Sequence, residues 1–366
     1  MDTPVRLGRY LFTTLNGAIF GGTTPPAEIP NFEDREPSTS RVHTEAPGEF
    51  EPFLTDVLEV KNDLFKGLKL PMEIVDAIVD FAEYWPHTTT VRRSGELSIS
   101  AGRGREEERL ILRSYPLGYL PNPLDTTECR MLDEYSYPTI KPQPWKTIKE
   151  VEGEATEEIR NKWLLSSQLK GDHPCRKIVF TIKSHDQGWG GEPQNKGTYK
   201  GSYTWFDVGK EELVAFREGQ EPATLPKDPI HTLEVPVEEC DSPTITCAFH
   251  TIIPRTESYQ TSSDDVDIEY HFHHPLEPDT TCLQKNLTAV KQMQTHKIVW
   301  SCDDNVDPDS VDGKELDNEG RGRETATGEF VRGMRIGDVV TVWGKARFAA
   351  WVNFIEEVKI DVYWAV

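Results

Sequence analysis

Alternation of apolar and polar residues dominates the second half of the chain. From Lys177 onward, Ile178, Phe180 and Ile182 fall on one side of a predicted strand, with Val179 and Thr181 on the other. The same two-residue period recurs at 199–206, 244–249, 339–343 and 358–364. Short strands separated by glycine- and proline-rich turns are typical of sandwiches. The pattern therefore predicts a mainly β fold: an antiparallel, jelly-roll-like β-sandwich with a short N-terminal helical segment.

A helical period precedes the strands, at residues 51–86. Its clearest part begins at Leu70-Pro71 and places Leu70, Ile74, Ile78 and Phe81 on one helix face. Pro71 suits the first turn of a helix because its missing N–H has no partner there. Glu73 favours the same end of the helix through the helix dipole.

Composition shifts suggest how the chain is organised. Prolines and small polar residues predict a mostly disordered tail at 1–50, followed by the helical segment at 51–86. Residues 87–366 are assigned to the sandwich domain. Two irregular insertions are expected in it, a proline-rich one at about 121–158 and a charged one at about 303–327.

Charge and cysteine usage exclude several classes of protein. The formal net charge of -22 disfavours binding to nucleic acid or to an anionic membrane. The six cysteines are scattered without a Cys-x-x-Cys pair, so a structural zinc site is not expected. No apolar leader follows Met1 and no apolar run has the length of a membrane span. We therefore expect an intracellular protein, in the cytoplasm or the nucleus.

Tryptophans are the first candidates for ligand contact. Trp189 follows His185-Asp186-Gln187-Gly188, and Trp351 lies in a second loop-like stretch. A flat apolar face with a polar edge suits recognition of a glycan or a protein. Trp189, Trp351, His185 and Asp186 are therefore the predicted ligand-binding residues. A core position is the alternative for both tryptophans, and it is the expectation for Trp205, Trp300, Trp343 and Trp364.

A histidine-rich stretch suggests a metal site. Strand periodicity places Glu269, His271 and His273 on one face, and two imidazoles with a carboxylate can bind one metal ion. The alternative is the solvated outer face of an antiparallel strand. No phosphate loop, dinucleotide fingerprint or nucleophile elbow is present in the sequence. No cofactor is expected, and enzyme activity is disfavoured.

The helix at Leu70-Pro71-Met72-Glu73-Ile74-Val75 resembles the first helix of an F-box. The resemblance covers that helix alone, and it implies that an adaptor of the Skp type binds it. The implied partner-binding residues are Leu70, Pro71, Ile74, Ile78 and Phe81. The alternative is a structural helix packed on the sandwich.

The C-terminal half resembles a group of uncharacterised intracellular proteins of filamentous fungi. The matching stretches are 185–190, 203–206 and 337–353, and the likeness extends over most of 52–366. More distantly, the layout is similar to the galactose-binding-like jelly roll and to the F-box-associated domain. That likeness implies a ligand site at one loop end of the sandwich, near Trp189 and Trp351.

Three hypotheses follow. The first is an interaction protein, in its most specific form an F-box-like substrate receptor of a cullin–RING ubiquitin ligase that recognises a protein or a glycan. The second is a free-standing ligand-binding sandwich whose helix is structural. The third is a metal-dependent enzyme that uses His271 and His273.

Overall fold

The computed structural model describes residues 52–93, 95–101, 107–120, 154–171, 173–217 and 276–366, and mainly the backbone of 232–235, 245–253, 257–260 and 270–273. The chain divides into two compact units, residues 1–86 and residues 87–366. The tail predicted at 1–50 and most of the insertion predicted at 121–158 lie outside the described residues.

Helices and strands follow one another along the described chain. The helices are α1 (Leu54–Gly67), α2 (Met72–Phe81), α3 (Glu154–Ser166), α4 (Val311–Asn318) and α5 (Glu329–Arg332). The strands are β1 (His87–Arg92), β2 (Leu97–Ser100), β3 (Glu108–Arg113), β4 (Cys175–His185), β5 (Thr204–Arg217), β6 (Thr232–Val235), β7 (Ile245–Ile253), β8 (Glu257–Gln260), β9 (Tyr270–His273), β10 (Cys282–Lys285), β11 (Gln294–Ser301), β12 (Val339–Ala346) and β13 (Val352–Trp364).

The first unit is a pair of helices. Val57 of α1 and Val75 and Val79 of α2 are buried, because residues three and four apart share a helix face. An ion pair of 2.8 Å between Lys61 Nζ and Asp76 Oδ1 joins the two helices. As predicted, α2 follows directly after Pro71 and carries Glu73 in its first turn.

The second unit contains two antiparallel sheets. In the first sheet the strand order is β1-β13-β4-β11, and β2 also pairs with β13. In the second sheet the order is β3-β12-β5-β7-β6, and β10 pairs with β5. Strands β8 and β9 form a separate two-stranded sheet.

The two large sheets pack face to face. Ile178, Phe180 and Ile182 of β4 are 0% exposed, on the face that their alternation predicts. At Gly344 of β12 the sheets lie close together: an added Cβ would lie 2.6 Å from Cδ1 of Ile99 and 2.9 Å from Cδ1 of Ile355, both in the first sheet. The predicted mainly β sandwich with a small helical part is confirmed.

Large aromatic residues occupy the core of the second unit. Trp205, Trp300, Trp343 and Trp364 are between 0% and 4% exposed, as expected for core positions. Burying such side chains removes a large apolar area from water and stabilises the fold.

Two stretches differ from the sequence prediction. The segment 303–327, predicted to be irregular, contains α4 and a 3-10 turn at Arg323–Ala326. Ser310 caps α4 by accepting a hydrogen bond from the Gly313 N–H at 3.0 Å. The strand predicted from Tyr199 begins only at Thr204, because Gly201 adopts a left-handed φ of 63° that ends the extended conformation.

Candidate functional site

The turn after β4 is built around a buried carboxylate. Asp186 is 0% exposed; its Oδ1 accepts a hydrogen bond from the Gly188 N–H at 2.7 Å and its Oδ2 one from the Ala289 N–H at 2.5 Å. Burial raises the pKa of Asp186, and these backbone donors oppose the rise. Through these two hydrogen bonds, Asp186 connects the turn after β4 to the 286–290 segment.

His185 is also turned into the protein. Its ring is 8% exposed and stacks on Phe354, with ring centroids 4.8 Å apart. Its Nδ1 lies 2.6 Å from the carbonyl oxygen of Asp186, a geometry that fits donation from Nδ1–H to that oxygen. The His185 ring therefore bonds to the backbone of Asp186, while the Asp186 carboxylate bonds to the backbone N–H groups of Gly188 and Ala289.

Gln187 links the two loops that carry the predicted tryptophans. Its Nε2 donates to the carbonyl oxygen of Trp189 at 2.6 Å, and its Oε1 accepts from the Val352 N–H at 3.0 Å. The side chain of Trp189 is 61% exposed, and that of Trp351 is half-buried. Gln187 therefore holds the two loops side by side.

Trp351 belongs to an aromatic cluster around Tyr203. The ring of Tyr203 lies 4.7 Å from that of Phe348 at 86°, and 5.1 Å from that of Trp351 at 78°. The Trp351 ring also lies against Gly191, where an added Cβ would meet its Cη2 at 3.7 Å. Phe348 is 43% exposed, so the cluster is open to solvent on one side.

The loop that holds this cluster has an unusual backbone. Phe348 and Ala350 have φ values of 64° and 76°, in the left-handed region that non-glycine residues seldom occupy. Such conformations concentrate at binding sites, where the surrounding structure holds them.

Two exposed glutamates border the cluster. The carboxylates of Glu277 and Glu192 lie near enough to the Tyr203 hydroxyl to act on it by charge. Burial, then Glu277 and Glu192, raise the pKa of Tyr203. We call Trp189, Tyr203, Phe348 and Trp351, with Glu192 and Glu277, the loop-end surface.

A buried polar network supports this surface from below. Asn286 Oδ1 accepts from Ser184 Oγ at 2.7 Å, and its Nδ2 donates to Thr204 Oγ1 at 3.1 Å and to Asn353 Oδ1 at 2.9 Å. All four side chains are 0% exposed. Thr204 and Asn353 lie one and two residues from the cluster aromatics Tyr203 and Trp351, so the network holds the ends of their strands.

Sequence pattern alone does not identify Tyr203, Phe348, Glu192 or Glu277 as site residues. The alternation at 199–206 predicts a regular strand for Tyr203, and Phe348 has no local signal other than its position in a short turn before β13. Their association depends on contacts between segments far apart in the chain, which periodicity does not report.

Helix α2 presents a second candidate surface, in the first unit. Its side chains Ile74, Ile78 and Phe81 are 48%, 37% and 70% exposed. Of the other two predicted partner-binding residues, Pro71 is exposed and Leu70 is half-buried. Met72 is 40% exposed but lies on the side of the helix that carries Val75 and Val79, because it precedes them by three and seven residues. Since Val75 and Val79 supply the buried face, the apolar residues of α2 point in two directions. We call Ile74, Ile78 and Phe81 the α2 apolar face.

The predicted metal ligands lie at the margin of the described structure. The backbones of His271 and His273 lie in β9, where they pair with Tyr259 and Glu257 of β8. Glu269 and the two histidine side chains are outside the described part of the chain. Among the side chains that are described, no group of three or more His, Cys, Asp or Glu residues could hold a metal ion.

Comparison of the chain with family models, with curated proteins and with solved structures finds no match. None of the helices in the described part of the chain has the length and apolar character needed to cross a bilayer.

Proposed function

We propose that this chain is an interaction protein with two binding surfaces: the α2 apolar face for an adaptor and the loop-end surface for a target protein or glycan. In its most specific form it is an F-box-like substrate receptor of a ubiquitin ligase, working with a Skp-type adaptor. It acts inside the cell, in the cytoplasm or the nucleus.

The observation that carries this proposal is the exposure of the α2 apolar face. A helix whose only role is structural turns its apolar residues inward, and Ile74, Ile78 and Phe81 instead remain open. Contiguous exposed apolar residues mark surfaces for partners. An amphipathic helix with anchors at i, i+4 and i+7, as in Ile74, Ile78 and Phe81, suits docking against an apolar groove.

The cysteines agree with an intracellular setting. Cys175, Cys247, Cys282 and Cys302 form no disulfide bond within the described part of the chain, and the first three are buried. Burial raises the pKa of Cys247 and of Cys282 to about 12, so both stay protonated and unreactive.

A binding experiment with purified Skp-type adaptor tests the proposal. We expect saturable binding to the wild-type chain and its loss in the double variant Ile74→Asp, Ile78→Asp, because a buried carboxylate in the interface has no partner. Val311→Asp is the matched control: Val311 is 82% exposed on α4 in the other unit, and the same change there should leave binding intact. Absence of binding by the wild type, or equal binding by the double variant, contradicts the ligase role.

The second candidate is a free-standing ligand-binding sandwich, which the loop-end surface favours. In that case the double variant keeps every partner that the wild type captures, while Trp189→Ala and Trp351→Ala lose them. Quantitative capture with the three variants side by side separates the two functions.

A further inference from the structure

The geometry of the loop-end surface indicates the shape of its ligand. Phe348 and Trp351 both stand nearly perpendicular to the ring of Tyr203, at 86° and 78°. A pyranose stacks best on one flat, open ring, whereas rings at right angles form a corner. A corner of this kind suits a compact, rounded group that touches more than one ring.

The charges at the corner indicate the sign of that ligand. The groups that act on the Tyr203 hydroxyl are the carboxylates of Glu277 and Glu192, both on exposed side chains. Arg347, the cationic residue next to Phe348, is paired with Glu107. The loop-end surface therefore combines aromatic rings at right angles with two carboxylates that act on the Tyr203 hydroxyl.

From this arrangement we infer that the loop-end surface binds a substituted ammonium group, such as the methylated or unmodified amine of a lysine side chain in a partner protein. The inference rests on the proposed binding role of the loop-end surface and names its ligand class. Ring faces attract a cation through their quadrupole, and an adjacent carboxylate adds a direct charge interaction.

A pair of probes of equal shape tests the role of charge. Choline carries a trimethylammonium group, and 3,3-dimethylbutan-1-ol is its neutral counterpart. Each is titrated into the full chain at low salt while the indole N–H signals are followed by NMR, with Trp189 and Trp351 assigned from Trp→Phe variants. We expect choline to shift the Trp351 signal saturably. The neutral alcohol should bind at least about fivefold more weakly than choline.

Substitution of one glutamate separates charge from shape. Glu277→Gln keeps the size of the side chain but removes its charge, so choline binding should weaken about fivefold. Glu356→Gln, at an exposed position on β13, is the matched control and should bind choline as the wild type does. Phe348→Ala should also weaken binding, because it removes one wall of the corner.

The outcomes are distinct. Equal binding of the two probes, or unchanged binding by Glu277→Gln, overturns the inference. Saturation of the same indole signal by methyl β-galactoside but not by choline also overturns it, while leaving the loop-end surface as a glycan site. Lack of any response to all three probes overturns both the inference and the ligand-binding role of this surface, but not adaptor docking on α2.

Discussion

Replacing Asn353 by alanine tests how the two sheets are joined beneath the loop-end surface. Asn353 lies on β13 of the first sheet, and its Nδ2 donates to the carbonyl oxygens of Trp205 at 3.1 Å and Lys345 at 3.2 Å, both in the second sheet. Its Oδ1 accepts from Asn286 at 2.9 Å. Three buried hydrogen bonds at about 1 kcal/mol each predict a loss of about 3 kcal/mol in the free energy of unfolding.

Urea unfolding followed by tryptophan fluorescence measures this loss. Asn305→Ala is the matched control, since Asn305 is exposed and the same change there should cost less than about 0.5 kcal/mol. Asn353→Ala should also broaden the NMR signal of the Trp351 indole N–H, because Trp351 lies two residues from Asn353. A loss below about 1 kcal/mol for Asn353→Ala would refute the argument that this network fastens the sheets.

Three further predictions concern the sandwich. Gly344→Val should destabilise the protein by about 2 kcal/mol or more in thermal unfolding, because its side chain would collide with Ile99; an unchanged Tm contradicts the close approach of the sheets. Burial lowers the pKa of His296 from 6.5 to about 4. The folded state therefore favours the neutral form of His296, and the free energy of unfolding should fall by up to about 3 kcal/mol as the pH drops from 6.5 to 4. In His296→Gln the free energy of unfolding should depend less on pH in this range. The same pH dependence in the variant and the wild type would contradict this role of His296. Lys345→Met should cost about 3 to 5 kcal/mol in urea unfolding, because it removes the cation 2.9 Å from Asp207; a neutral result would show that the pair is dispensable.

Much of the sandwich could be predicted because burial imposes a two-residue period on a strand. The alternation at Ile178, Phe180 and Ile182 reports directly which face of β4 is buried. The four core tryptophans follow from the same reasoning, since large aromatic residues within strands fill the space between sheets.

The prediction was less complete where local backbone geometry decides the structure. The left-handed Gly201 converts an alternating stretch into a turn, and a Ser310 cap allows a helix in a segment that reads as a charged loop. The spacing of apolar residues predicts which side chains are buried, but it does not predict the single residues at which a helix or strand begins or ends.

The candidate sites divide in the same way. The α2 apolar face could be predicted, because helical spacing alone places Ile74, Ile78 and Phe81 together. The ligand site near Trp189 and Trp351, which the likeness to the galactose-binding-like jelly roll implies, stays a prediction. The corner formed by Tyr203 and Phe348 could not be predicted, since it requires the register of β5 with β12 and the left-handed turn before β13.

Hydrogen–deuterium exchange across α2, with and without the Skp-type adaptor, tests the central claim most directly. The account predicts that amides within Met72–Phe81 become protected when the adaptor is added, and that Ile74→Asp, Ile78→Asp abolishes the added protection while Val311→Asp preserves it. Exchange in α2 that is the same with and without a saturating concentration of the adaptor would contradict the claim that this helix is a docking surface.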